Sequence, residues 1–171
     1  MKQLEEERID QLLGIINLYP AIRVMHFSDG SQQLTQKINT LCEQHHYDYQ
    51  LNCTTDTCYE EMIDRYGDEG MIKIKRFDLN RPRYAIQAKL YDYLFVTTQI
   101  PDEERLSFLK KTYAAIKNAG LILIFLPKDD LRQNHIWSEL LLENYFVASN
   151  TLDIFADYDV IIAKKMHGWG G

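Results

Sequence analysis

Two hydrophobic periods alternate along the chain. Over 2–18, Leu4, Ile9, Leu12, Leu13, Ile16 and Leu18 recur at helical spacing behind acidic first turns, which predicts an amphipathic helix closed by Pro20. A short apolar strand follows over 22–27, then a turn from Ser28 to Gly30. The next helix runs over 31–46, with Leu34, Ile38, Leu41 and Cys42 on one face, and a second strand covers 47–53. Thr54, Thr55 and Asp56 are candidate caps for a short helix over 57–66. Gly67 and Gly70 then break the chain before an alternating strand over 71–77.

The second half repeats the alternation. Residues 78–90 read as a loop with one helical turn, and 91–96 as a buried strand. Pro101 starts a helix that runs to Asn118, with Leu106, Leu109, Tyr113 and Ile116 inward and Gly120 as its cap. The run 121–126 is the most apolar in the chain, as expected of a strand covered on both faces. A helix over 130–143 precedes two strands, 145–155 and 158–164, joined by a tight turn at Asp157. Strands alternating with helices imply a parallel sheet with right-handed crossovers, whereas two strands joined by a short turn are antiparallel. This closing hairpin disfavours receiver-like and flavodoxin-like orders. With 171 residues and no repeat or long linker, the expectation is a single domain over 1–171, a helix over 1–20 and a core over 21–171.

Composition narrows the function. The net charge of -6 argues against general nucleic-acid binding, which needs a basic surface. Lys73, Lys75, Arg76, Arg81 and Arg83 do cluster, as a solvated strand edge and loop or as a local basic patch. Cys42, Cys53 and Cys58 are too few for a disulfide framework. With His45 and His46 they also lack the close ligand spacing of a zinc site, so no metal is expected. Unpaired thiols, a charged N-terminus and no apolar run near the ~20 residues that span a bilayer point to a cytoplasmic protein away from membranes.

Four stretches of the second half carry a resemblance. They are Tyr91-Asp92-Tyr93-Leu94-Phe95-Val96, then 105–125 with Lys117-Asn118-Ala119-Gly120 before Leu121-Ile122-Leu123-Ile124, the helix from Asp130, and the terminal hairpin. Together they resemble the fourth strand, helix, lysine-proline-glycine-glycine turn, fifth strand and closing elements of class I S-adenosylmethionine-dependent methyltransferases. No one motif is specific; their conjunction is, and it covers nearly everything after the first helix. The resemblance implies an α/β, three-layer Rossmann-like methyltransferase fold. Its mostly parallel seven-stranded sheet has the order 3-2-1-4-5-7-6 with an antiparallel C-terminal hairpin. It also implies S-adenosylmethionine as cofactor, at the carboxyl ends of the first and fourth strands.

In that family the first strand ends in an acid followed by a turn of pattern acid-x-Gly-x-Gly-x-Gly. The corresponding positions here are His26, Ser28, Gly30 and Gln32, so only Gly30 matches. Side chains at Ser28 and Gln32 are expected to intrude, and His26 lacks the charge that complements the cofactor's ammonium group. A ribose-binding acid is implied after the second strand, where Asn52-Cys53 stand and Asp56 comes three or four residues late. Asp78 matches the adenine-contacting acid after the third strand. Thr97-Thr98-Gln99-Ile100 replaces the Asn-Pro-Pro-aromatic signature of amino-group methylation. The candidate cofactor residues are therefore His26, Ser28, Gly30, Asp56, Asp78 and Thr97. Each also has a structural reading. His26 is a general base or a structural hydrogen-bonder. Asp29-Gly30 and Asp78 are turn formers, and Asp56 is a helix cap.

Two functions follow. One is methyl transfer to a small-molecule or protein acceptor that the sequence does not identify; it needs proximity and alignment more than a catalytic dyad, and no catalytic residue is assigned. The other is a non-catalytic methyltransferase-fold binding or scaffold protein that has lost its cofactor. The chain has no Gly-x-Ser-x-Gly elbow for a hydrolase and no Gly-x-Gly-x-x-Gly for a nicotinamide enzyme. Eleven scattered tyrosines read as packing rather than a base-stacking platform. Trp169 among the terminal glycines is either a docking residue or part of a tail, and nothing points to an oligomeric state.

Overall fold

A computed structural model of the chain describes residues 1–67, 70–88 and 90–166; the expectation about Trp169 lies outside them. In chain order the elements are α1 (Glu6–Leu13), β1 (Arg23–Ser28), α2 (Gln32–His45), β2 (Asp48–Cys53), α3 (Asp56–Tyr66) and β3 (Ile72–Arg76). The second half comprises β4 (Tyr91–Val96), a 3-10 turn (Asp102–Glu104), α4 (Arg105–Tyr113), β5 (Ile116–Pro127), α5 (Leu131–Glu143), β6 (Phe146–Leu152) and β7 (Tyr158–Lys165). The strands form one seven-stranded sheet of order β3-β2-β1-β4-β5-β7-β6. β1 pairs in parallel with β2 and β4, β2 with β3, and β4 with β5, while β7 is antiparallel to both β5 and β6. The sheet order is the one the resemblance implies, and the closing hairpin is as chain connectivity predicts.

Burial explains the layers. Val24, Tyr49, Leu51, Phe95 and Leu123 pack on one face against Ile9 and Leu12 of α1, Leu34 and Ile38 of α2 and Met62 of α3. Met25, Phe27, Leu94, Val96, Ile122 and Ile124 pack on the other against Phe108 and Leu109 of α4 and Trp137 and Leu141 of α5. Removing a side chain such as Phe27 from water contributes about 1.5–3 kcal/mol. Thr55 caps α3 by accepting from the Cys58 N–H at 3.1 Å, and Asp130 caps α5 by accepting from the Arg132 N–H at 3.2 Å.

The second layer is incomplete. Only α4 and α5 cover that face, because the described residues of the β3–β4 connection form no helix; the helical turn predicted within 78–90 is absent. The strands beneath it are polar on that side. In β2, Tyr49, Leu51 and Cys53 enter the first core while Gln50 and Asn52 alternate away from it, as do Lys73 and Lys75 in β3.

Other boundaries move. The first helix is shorter than 2–18, since Gly14 is its C-cap and Gly and Asn disfavour continuation. The helix from Pro101 ends at Tyr113 rather than Asn118, and β5 begins at Ile116. Leu106 is not inward but 43% exposed; Arg105, Phe108, Leu109 and Thr112 are the buried residues of α4. Gly120 caps nothing: it lies within β5, past an irregularity where pairing jumps from Tyr91↔Ile116 to Tyr93↔Leu121 and Ala119 has φ 66°. A Cβ on Gly120 would lie 2.6 Å from Ile116 Cγ2 and 2.9 Å from the Lys117 carbonyl oxygen, so close packing demands glycine there.

Candidate functional site

The order of the sheet reverses between β1 and β4, and open α/β sheets place ligands outside the carboxyl ends of the strands at that point. A cleft of about 450 Å3 lies there. Asp29 follows β1, Thr54 follows β2, Asp78 follows β3, Thr98 and Gln99 follow β4, and Glu104 closes the far side. Thr54 ties three strand ends together, its hydroxyl donating to the Ser28 carbonyl at 3.2 Å and lying 2.9 Å from the Thr98 hydroxyl. Arg105 anchors the Glu104 segment from below. It is buried, donates to the Ile100 carbonyl at 3.3 Å, pairs with Asp102 at 2.7 Å and lies over Trp137.

Beneath the cleft floor sits a closed polar network. His26 is fully buried within β1; Nδ1 lies 2.8 Å from the Tyr49 hydroxyl and Nε2 2.8 Å from the Thr97 hydroxyl. The Ser31 hydroxyl joins Thr97 at 3.1 Å and Ser28 at 3.0 Å, and Ser28 Oγ accepts from the N–H groups of Gly30 and Ser31 at 3.1 Å each. Desolvation lowers the His26 pKa to about 3, so the imidazole is neutral at physiological pH. Burial likewise raises the Tyr49 hydroxyl well above its ordinary range. A neutral imidazole with both nitrogens engaged is a structural brace joining β1, β2 and β4.

The sequence candidates therefore separate. His26, Ser28 and Thr97 are buried in the network rather than on the cleft wall. Gln32 does not intrude: its amide contacts Glu61 and Arg65 at 3.4 Å on the outer surface of α2 and α3. Asp56 is not the cap of α3, a role Thr55 takes; its exposed carboxylate pairs with Arg76 at 2.7 Å. Asp78 does line the cleft, with Oδ1 accepting from the Asn80 N–H at 2.9 Å. Gly30 has φ 140°, and a Cβ there would meet nothing within 4 Å.

Sequence reasoning passed over Asp29 and Glu104. Asp29 was legible only as half of a turn dipeptide, yet it lines the cleft and its Oδ1 is buried with no hydrogen-bond partner among the described residues. Asp29, Asp78 and Glu104 all line the cleft, and among the described residues Arg76 is the one cation in its lining. Burial first, then the fields of Glu104 and Asp78, raises the pKa of the Tyr84 hydroxyl.

No protein-family profile and no curated relative matches the sequence. Solved structures do match. An S-adenosylmethionine-dependent methyltransferase from Aquifex aeolicus superposes with TM-score 0.72 at 11% identity, over 92% of this chain and 89% of that one. An S-adenosylmethionine-dependent O-methyltransferase from Thermotoga maritima gives TM-score 0.72 at 13% identity, over 100% of this chain and 69% of that one. The CurJ carbon methyltransferase gives 0.70 at 12% identity over 92% of this chain, which spans only 52% of that chain's length. The chain has the fold of the class I S-adenosylmethionine-dependent methyltransferases.

The cleft fits parts of that cofactor. The orphaned Asp29 oxygen beside the open space at Gly30 suits an ammonium group, and Asp78 suits the adenine end. The ribose end has no acid, since Asn52 lies outside the cleft wall and Asp56 is engaged by Arg76. Among the described residues no helix is long and apolar enough to cross a membrane.

Proposed function

We propose that this chain binds S-adenosylmethionine in the switch-point cleft and transfers its methyl group to an acceptor. The observation that carries the reading is the buried, unpartnered carboxylate oxygen of Asp29 in a cleft lined by two further acids. A buried acceptor without a donor is costly, and a ligand ammonium relieves that cost. The cofactor is a cation, with a sulfonium and an ammonium outweighing one carboxylate, so acidic walls also favour it over its neutral demethylated product. When bound, it supplies an electrophilic methyl group. Asp29 holds the ammonium, Asp78 the adenine, and Gly30 leaves room for the chain between them. The His26 brace keeps the strand ends in register. Fully buried with both nitrogens engaged, it does not reach an acceptor in the cleft, and methyl transfer proceeds mainly from proximity and alignment.

A second reading, a methyltransferase-fold binding or scaffold protein without cofactor, is favoured by one observation: the missing ribose acid after β2. Calorimetric titration with S-adenosylmethionine and S-adenosylhomocysteine separates the two. The expected result is saturable binding with Kd below about 1 mM, tighter for the sulfonium, and at least tenfold weaker in Asp29→Asn. Absence of both heat and thermal shift for either ligand supports the second reading instead.

A further inference from the structure

On the sheet face that the second helical layer leaves uncovered, between β2 and the β3–β4 loop, lies a separate cavity of about 270 Å3. Met25, Gln50 and Asn52 contribute from the sheet, and Phe77 and Tyr91 are aromatic walls. Lys75, Arg76 and Arg81 line it as well, and among the described residues no acid does. In a chain of net charge -6 a wall with three cations and no carboxylate is a strong local reversal of sign. Of the basic run in the sequence, Lys75, Arg76 and Arg81 thus line a concavity, whereas Lys73 and Arg83 do not.

A second observation points inward. Asn52 is 2% exposed, and its Oδ1 accepts from Gln50 Nε2 at 3.2 Å. That bond orients the amide, and Asn52 Nδ2 is left buried with no hydrogen-bond partner among the described residues. A buried donor without an acceptor calls for a ligand atom that accepts. Donors below, cations around the wall and aromatic faces between them all select the same chemistry.

We propose that this cavity binds a small organic oxyanion, a phosphomonoester or a carboxylate. Lys75 and Arg81 hold the anionic group, and Asn52 Nδ2 donates to an acceptor atom of the ligand. The volume is slightly below the range of drug-sized pockets and suits a small metabolite rather than a polymer. The site is independent of the switch-point cleft and does not rest on S-adenosylmethionine being bound there.

Titration of the full chain with glycerol 3-phosphate, inorganic phosphate and succinate tests this and separates the two anion classes. The expected result is saturable binding of a phosphate probe or of succinate that weakens as salt rises. Lys75→Gln and Arg81→Gln, both at exposed positions, should each weaken it at least fivefold, and Asn52→Leu about tenfold, with S-adenosylhomocysteine binding unchanged. No saturable heat from any probe at about 10 mM would overturn the proposal. So would binding that survives both charge variants, or a single-stranded oligonucleotide binding more tightly than every small anion, which would assign the cations to a polymer surface.

Discussion

Two cavities meet at Arg76, and their charges are opposite. The cleft at the strand ends is lined by Asp29, Asp78 and Glu104; the cavity on the sheet face is lined by Lys75 and Arg81 and, among the described residues, by no acid. Arg76 borders both, its guanidinium donating to Asp56 at 2.7 Å and to the Phe77 carbonyl at 2.7 Å. They also arise differently. The cleft exists because the strand order reverses there, a property of the topology whatever residues line it. The cavity exists because a helical layer stops short and β2 and β3 carry polar residues on the exposed side. Buried polar groups teach the same lesson. His26 has both nitrogens satisfied and so braces the sheet, whereas Asn52 Nδ2 and Asp29 Oδ1 are buried without a partner among the described residues, and the two proposed sites rest on them.

Four experiments break or sharpen this contrast, beginning with the largest effect. Asp29→Lys should cost S-adenosylmethionine at least 100-fold in affinity, about 3 kcal/mol, and leave oxyanion binding intact; equal loss of both by calorimetry would mean that the cavities are not separate. His26→Leu strands the buried hydroxyls of Tyr49 and Thr97 and should destabilise the fold by about 3 kcal/mol in chemical denaturation. Intact stability with lost cofactor binding would move His26 from brace to cleft.

The pH dependence follows from the same residue. His26 has a folded pKa of about 3 against 6.5 unfolded. Its neutral form is therefore preferred in the fold, and no penalty exists above 6.5. Between 6.5 and about 3 the unfolded chain takes up a proton that the folded chain refuses, so stability falls on acidification across that window. The part due to His26 should reach about 2 kcal/mol between pH 7 and pH 5, and be missing from the acid limb of His26→Asn. Smallest, Arg76→Ala removes an exposed ion pair and should cost under about 1 kcal/mol. Binding should then shift in opposite directions, tighter for the cation in the cleft and weaker for the anion in the cavity, each by roughly threefold.

Much of the fold was legible because its signals are local. Leu121 to Leu126 reads as a central strand since both its faces are covered, and the hairpin reads from two strands without an intervening helix. The stretch 114–120 misled, because Lys117 to Gly120 looks like a turn after a helix while backbone pairing with Tyr91 and packing at Gly120 draw it into β5. At the site, Asp78 lines the cleft after the third strand, where the resemblance implies an acid, whereas His26, Ser28 and Thr97 are buried and do not line it.

By itself the sequence determined the alternation of strands and helices, the antiparallel closing hairpin and the turn after β1, because hydrophobic period and chain connectivity act over a few residues; the strand order was implied only by the resemblance to class I methyltransferases. Only the tertiary structure decided that Asp29 is left without a donor, that Asn52 is buried beside Lys75 and Arg81, and that Arg76 separates two fields of opposite sign. Those outcomes depend on strands and loops distant in the chain that share one desolvated space, where an unmet hydrogen bond or charge costs far more than it does in water.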